Sequence, residues 1–229
     1  MLLVNHFLII IIIAISTAAD EIAPEHPHSF DHQLGQFLAR RCLKNKDLEY
    51  LESLLRKMAD FIGCLNKVMP KHQEEHDNNI ERHCFIARRE VLECMQQWVD
   101  LLKPCLHGEE EYIPNFLMKS FGEYLEYFCE HVRILTTDGL IDSNMSKCLN
   151  KFKKYKHTNP HNNCFNAIHL TDHLKGTALT KEELCEDLDV IYSCYEHKFH
   201  KYCPESPEAW KFQGGLLNAT RSPCYQKLK

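Results

Sequence analysis

The stretch Glu81-Arg-His-Cys84-Phe-Ile-Ala-Arg-Arg-Glu-Val-Leu-Glu-Cys94-Met-Gln-Gln-Trp-Val-Asp-Leu-Leu-Lys-Pro-Cys105-Leu106 decides how the chain folds. Ile80, Val91, Leu92, Met95, Trp98 and Val99 recur at helical spacing, which predicts a helix from near Asn79 to Leu102. Pro104 should break it just before Cys105. At about 100° per residue, Cys94 and Cys105 lie within roughly 20° of each other, and Cys84 about 80° away. A helix with three thiols on one side is placed to be tied to several neighbours at once. The rest of the chain reads as what it is tied to.

Working outward, the flanking segments are helical as well. Upstream, Ser29 or Asp31 can cap a helix carrying Leu34, Phe37, Leu38 and Cys42 on one face. From Asp47 to Val68, the positions Leu48, Leu51, Leu54, Leu55, Met58, Phe61, Ile62 and Leu65 form the strongest amphipathic stripe in the sequence. Pro70 should end that helix, and the polar run Lys71 to Asn79 connects it to the cysteine-bearing one. Downstream, the acidic Gly108-Glu109-Glu110-Glu111 is a loop. Pro114 then opens a helix with Leu117, Phe121, Leu125, Phe128 and Val132, closed by a turn at Thr137-Asp138-Gly139.

The later part holds a Lys-rich helix through Cys148 and a shorter one around Cys164. Thr180-Lys-Glu-Glu183 is a capping box opening a helix with Leu184, Leu188, Ile191 and Cys194. Ser206-Pro207-Glu208 starts another through Trp210 and Phe212. Only 8 Gly and 9 Pro leave few turn signals for strands, so the expected class is all-α.

The N-terminal segment sets the compartment. Residues 1–19 combine an apolar run from Phe7 to Ile15 with small residues Thr17 and Ala19, the pattern of a cleaved secretory leader. The run is too short to span a bilayer, which takes about 20 helical residues. Residues 20–28 read as a loose arm. The 12 cysteines all lie after the leader, none nearer to another than nine residues, so close zinc-binding pairs are absent. An even number in a secreted chain reads as a disulfide framework. Asn144-Met-Ser146 and Asn218-Ala-Thr220 are N-glycosylation sequons. The net charge of -5 is spread along the chain and gives no basic face for nucleic acid.

The cysteines fall into two sets of six: Cys42, Cys64, Cys84, Cys94, Cys105, Cys129, then Cys148, Cys164, Cys185, Cys194, Cys203, Cys224. Offsets between matching members stay near 100 residues, which predicts a duplication with halves at 29–137 and 138–229. The spacing selects no pairing within a set. Cys185, Cys194 and Cys203 are spaced by nine, roughly 180° apart on a continuous helix. That copy must bend, end early, or bridge to opposite sides.

The segment Cys84-x9-Cys94-x10-Cys105-Leu106-x-x-Glu109-Glu110, leading into Phe128-Cys129, resembles the insect 27 kDa haemolymph glycoprotein family. So do Leu184-Cys185-x-Asp187-Leu188, the run Cys194, Cys203, Glu205-Ser206-Pro207, and the closing Ser222-Pro223-Cys224. The pattern departs after Asp138-Gly139, where the family has a longer apolar and glycine-containing segment. The resemblance implies a secreted, helical, cysteine-rich glycoprotein of haemolymph or of a secretion such as venom or saliva.

Three function classes compete. His72-Gln-Glu-Glu75-His76 matches the H-x-x-E-H pattern in which two histidines bind zinc and the glutamate polarises a water. It lies in a polar connection without an apolar stripe to hold it. Phe121, Tyr124, Leu125 and Phe128 are positioned to line an apolar ligand pocket, although an aromatic stripe at helical spacing is more commonly core. The expectation is a non-enzymatic extracellular protein without a cofactor, binding a small apolar ligand or a protein partner. A zinc hydrolase and an inert storage or defence protein are the alternatives.

Overall fold

A helix whose apolar residues recur every three to four positions must bury that stripe, and here the stripes meet in one shared core. The computed structural model describes residues 30–71, 80–136, 164, 168–173 and 176–226. The chain orders as α1 (Phe30–Asn45), α2 (Leu48–Lys71), α3 (Ile80–Asp100), two 3-10 turns (Lys103–Cys105 and Gly108–Glu110) and α4 (Ile113–Thr136). Then come α5 (Ile168–His173), α6 (Lys181–Tyr202), α7 (Pro207–Thr220) and α8 (Ser222–Tyr225). No strand occurs among the described residues, and the fold is all-α. The leader and arm, His72 to His76, the 137–139 turn, Asn144 and the helix through Cys148 lie outside the described residues.

The cysteine-bearing helix is a hub. Cys84 bonds to Cys129 of α4, Cys94 to Cys64 of α2, and Cys105 to Cys42 of α1. α3 itself stops at Asp100, and Cys105 sits on the 3-10 turn that Pro104 enforces. α3 and α4 run antiparallel in a fixed register. Moving from Cys84–Cys129 to the Arg88–Glu126 ion pair at 2.8 Å and then to Leu92 beside Gly122, numbers rise on one helix as they fall on the other.

In the later part Cys164 bonds to Cys194 and Cys185 to Cys224. Cys203 is disulfide-bonded too, and Cys148 lies outside the described residues. The nine-residue spacing is resolved by an early end. α6 closes at Tyr202 with Cys203 as its C-cap, while Cys185 and Cys194 reach different neighbours. Each bond between described cysteines stays on its own side of residue 138, yet the hydrophobic core does not. One buried cluster holds Phe37, Trp98 and Phe121 together with Leu179, Leu188 and Phe212.

Two expectations need correction. Leu48 belongs to the α2 stripe by periodicity but is 62 % exposed, because it is the first residue of its helix and overhangs the core that begins at Leu51. Asp47 caps that end through a 2.8 Å bond from the Tyr50 N–H. Pro70 lies inside the last turn of α2, which continues to Lys71, rather than ending it.

α4 and α7 approach closely at adjacent glycines, and the two differ in their surroundings. A Cβ on Gly215 would overlap the Tyr127 ring, whereas one on Gly214 meets nothing within 4 Å. Tyr127 has little room to yield, since it stacks on His131 at 3.9 Å and packs near Phe212 at 6.1 Å. Gly214→Ala is therefore expected to stabilise by about 0.5–1 kcal/mol, the helix-propensity gain of alanine over glycine. Gly215→Ala should destabilise by about 1–3 kcal/mol through overpacking. Denaturant midpoints of the two variants moving in the same direction would refute this packing account.

Candidate functional site

The aromatic face of α4 is spent on packing. Phe121, Tyr124 and Leu125 are buried in the common core, with Phe121 and Tyr124 stacked at 6.4 Å. Phe128 is half-buried and meets Phe212 edge-on at 6.4 Å. Burial pushes the phenols of Tyr124 and Tyr192 well up, and burial followed by the nearby Glu110, Glu182 and Glu183 does the same for Tyr112. These tyrosines stay neutral, and the Tyr112 hydroxyl donates to the Thr180 carbonyl at 2.9 Å. Among the described residues, no group of three or more His, Cys, Asp or Glu is placed to hold a metal ion.

A buried polar seam joins the two parts of the chain. Gly108, with φ of 62°, starts the short turn that swings Glu110 inward while Glu109 and Glu111 face solvent. Glu110 is 3 % exposed. Its carboxylate accepts from Arg41 Nε at 2.8 and 2.9 Å and from the Leu179 N–H at 3.2 Å. Arg41 Nη2 also donates to the Thr177 carbonyl. Arg41 further lies 4.7 Å over the Phe37 ring. A carboxylate so enclosed is structural; it has no open side for a substrate.

A second buried carboxylate serves α5. Asp187 of α6 accepts from the His169 and Leu170 N–H groups at 3.0 and 2.8 Å, satisfying orphan donors at the start of that short helix. Above it, His169 Nε2 meets Glu186 at 3.0 Å and His173 Nε2 meets Glu183 at 3.0 Å. Glu183 is also the capping-box glutamate, accepting from the Thr180 N–H at 2.9 Å while Thr180 Oγ1 accepts from the Glu183 N–H at 3.2 Å.

The Thr180 backbone N–H, then its hydroxyl, and lastly the charges of His173 and His169 hold the Glu183 carboxyl below its ordinary value of 4.5. A depressed folded-state value means the unfolded chain binds the proton more readily. The contribution is thus complete above about 4.5 and disappears as pH falls through the lower folded-state value. Glu183→Gln should be less stable than the parent at pH 7, with the gap in melting temperature closing at acid pH. A gap that persists unchanged to pH 3 would contradict this assignment.

On the surface, Arg221 gathers a small cluster. Its Nη1 donates to Asp189 at 2.9 Å and its Nη2 to Asn218 Oδ1 at 2.7 Å, while the Tyr225 hydroxyl donates to the same Asp189 oxygen at 3.0 Å. The guanidinium stands 5.7 Å over the Tyr192 ring and 5.9 Å over that of Tyr225.

Glu110 and Asp187 were both visible in the sequence as members of the family-like segments; Asp187, three residues after Leu184 and four before Ile191, stands on the apolar face of its helix, whereas nothing in the spacing of Glu110 signalled burial. Both hold backbone of a separate segment. The fold and these clusters define an all-α protein stapled by disulfides, with the buried carboxylates of Glu110 and Asp187 committed to joining separate segments. A family model described as a protein of unknown function (DUF1397) matches residues 32–224, and the chain belongs to that family. No curated protein matches the chain, and no solved structure does.

Proposed function

We propose that this is a secreted, non-enzymatic glycoprotein of extracellular fluid, haemolymph or a secretion, that acts by binding a partner protein. The observation carrying the reading is that every described cysteine is bonded, with two of the bonds radiating from α3 and a third from the 3-10 turn that follows it. Such a framework forms and persists in oxidising compartments. The choice of a protein over an apolar ligand rests on Phe121, Tyr124 and Leu125, which are consumed by the core they were candidates to hollow out.

Expression with residues 1–19 in a secretory cell should deliver the chain to the medium with all its cysteines oxidised. Retention in the cytosol with free thiols would overturn the reading. Native mass spectrometry of protein from its own source should show no stoichiometric lipid; finding one restores the carrier. Stoichiometric zinc with a peptidase activity lost in Glu75→Ala would make it a hydrolase.

The framework is also proposed to be a duplicated one. In each set of six, the second cysteine bonds to the fourth and the third to the sixth, as Cys64–Cys94 and Cys84–Cys129, then Cys164–Cys194 and Cys185–Cys224. The first set completes the pattern with first to fifth, Cys42–Cys105. A non-reducing peptide map should accordingly join Cys148 to Cys203. Any other partner for Cys203 ends the duplication.

A further inference from the structure

Asn218 and Thr220 occupy the last turn of α7, a setting at odds with their role as a sequon. Residues two apart on a helix point about 200° away from each other. Asn218 accordingly faces solvent, and Thr220 faces the core at 3 % exposure. The Thr220 hydroxyl donates to the Leu216 carbonyl at 2.8 Å and is also hydrogen-bonded to Tyr192 of α6. Cys185–Cys224 and the Arg221–Asp189 ion pair, at 2.9 Å, clamp this end of α7 and α8 onto α6.

A glycosyl transferase that reads the asparagine amide and the hydroxyl two residues on must contact both from one side. The packed helix offers only the first. We infer that Asn218 is an N-glycan acceptor only while α7 is unpacked, before Cys185–Cys224 closes the C-terminal end. In the step itself, Asn218 Nδ2 attacks the anomeric carbon of a lipid-pyrophosphate-linked oligosaccharide. The C–O bond to the pyrophosphate breaks, the lipid pyrophosphate leaves with the bonding pair, and an amide proton passes to a base of the transferase.

The folded protein accommodates the product although it is no substrate. Asn218 is exposed, and Arg221 Nη2 holds its Oδ1, leaving the sugar-bearing nitrogen out of that bond. Sugar transfer and disulfide closure are therefore competing events, and occupancy at Asn218 records which came first.

This inference rests on the secretory reading, and two arms separate their failures. In the first, the chain is expressed in a secretory cell and glycopeptides are mapped at Asn144 and Asn218. The expected result is a glycan at Asn218 that is lost in Thr220→Ala and in Asn218→Gln, with occupancy raised in the paired Cys185→Ser/Cys224→Ser variant unless it is already complete. In the second arm, full-length unglycosylated chain is offered to purified transferase with lipid-linked oligosaccharide, either oxidised and native or reduced and unfolded. Acceptance at Asn218 only by the reduced chain supports the inference. Equal acceptance by the native chain overturns it, as does an empty Asn218 in a secreted chain that is glycosylated at Asn144. A chain that stays in the cell unmodified at both sequons defeats the secretory reading, and the second arm still decides the order of events.

Discussion

Glu110→Ala is expected to lower the stability of the fold by about 3–5 kcal/mol, the cost of leaving the partner charge of a buried ion pair uncompensated. Arg41 and Glu110 side chains are 7 and 4 % exposed and 2.7 Å apart, so neither regains water when the other is removed. The loss also orphans the Leu179 N–H, which Glu110 accepts at 3.2 Å. Arg41→Ala should cost a similar amount. The double variant Arg41→Ala/Glu110→Ala should cost clearly less than the sum, because removing the second charge relieves the first.

Replacing the pair by Arg41→Met with Glu110→Leu sharpens the test. If the pair matters chiefly through its own mutual dependence, the apolar swap should be nearer neutral than either single truncation. If it instead matters by holding Thr177 and Leu179 against α1, the swap remains costly. Guanidinium unfolding with disulfides intact measures all four. A change below about 1 kcal/mol for Glu110→Ala would place the group among exposed pairs and contradict its burial.

How this residue escaped the sequence shows where sequence reading stops. Gly108-Glu109-Glu110-Glu111 reads as one solvated acidic loop, and two of its three glutamates are solvated. Whether a third turns inward depends on Arg41, 69 positions away, and no local pattern carries that distance. The helices were legible because their signals are local. The α1 face of Leu34, Phe37, Leu38 and Cys42 is buried as its spacing predicts, and Thr180 and Glu183 form their capping box. The hub was legible in part: the angle between Cys84 and Cys94 follows from helix geometry, whereas Cys105 lies past the end of α3 on a 3-10 turn, where that geometry no longer applies. Their partners were not, because pairing is a property of the assembled core. The same limit separates Gly214 from Gly215: identical neighbours in sequence, distinguished only by where Tyr127 lies.

Loss of Cys42–Cys105 through paired Cys→Ala substitution should cost about 4 kcal/mol. The bond separates its ends by 63 residues, and closing so long a loop removes correspondingly more entropy from the unfolded chain. Cys64–Cys94 spans 30 residues, which on loop length alone makes it weaker by only about 0.6 kcal/mol. Burial widens the gap. Cys42 and Cys105 are fully buried, so truncation also leaves unfilled core, whereas Cys64 and Cys94 are part-exposed. Moreover, Cys42–Cys105 fixes α1 against the turn leading to Glu110, beside the Asn45 bond to the Cys105 carbonyl at 2.6 Å. Its removal should therefore be non-additive with Glu110→Ala, since both act on one contact between α1 and that turn. Unfolding curves for the two paired variants, and for each combined with Glu110→Ala, decide the matter. Equal costs for the two bonds, with strict additivity to Glu110→Ala, would reduce both to simple loop closures and deny the hub its connection to the buried seam.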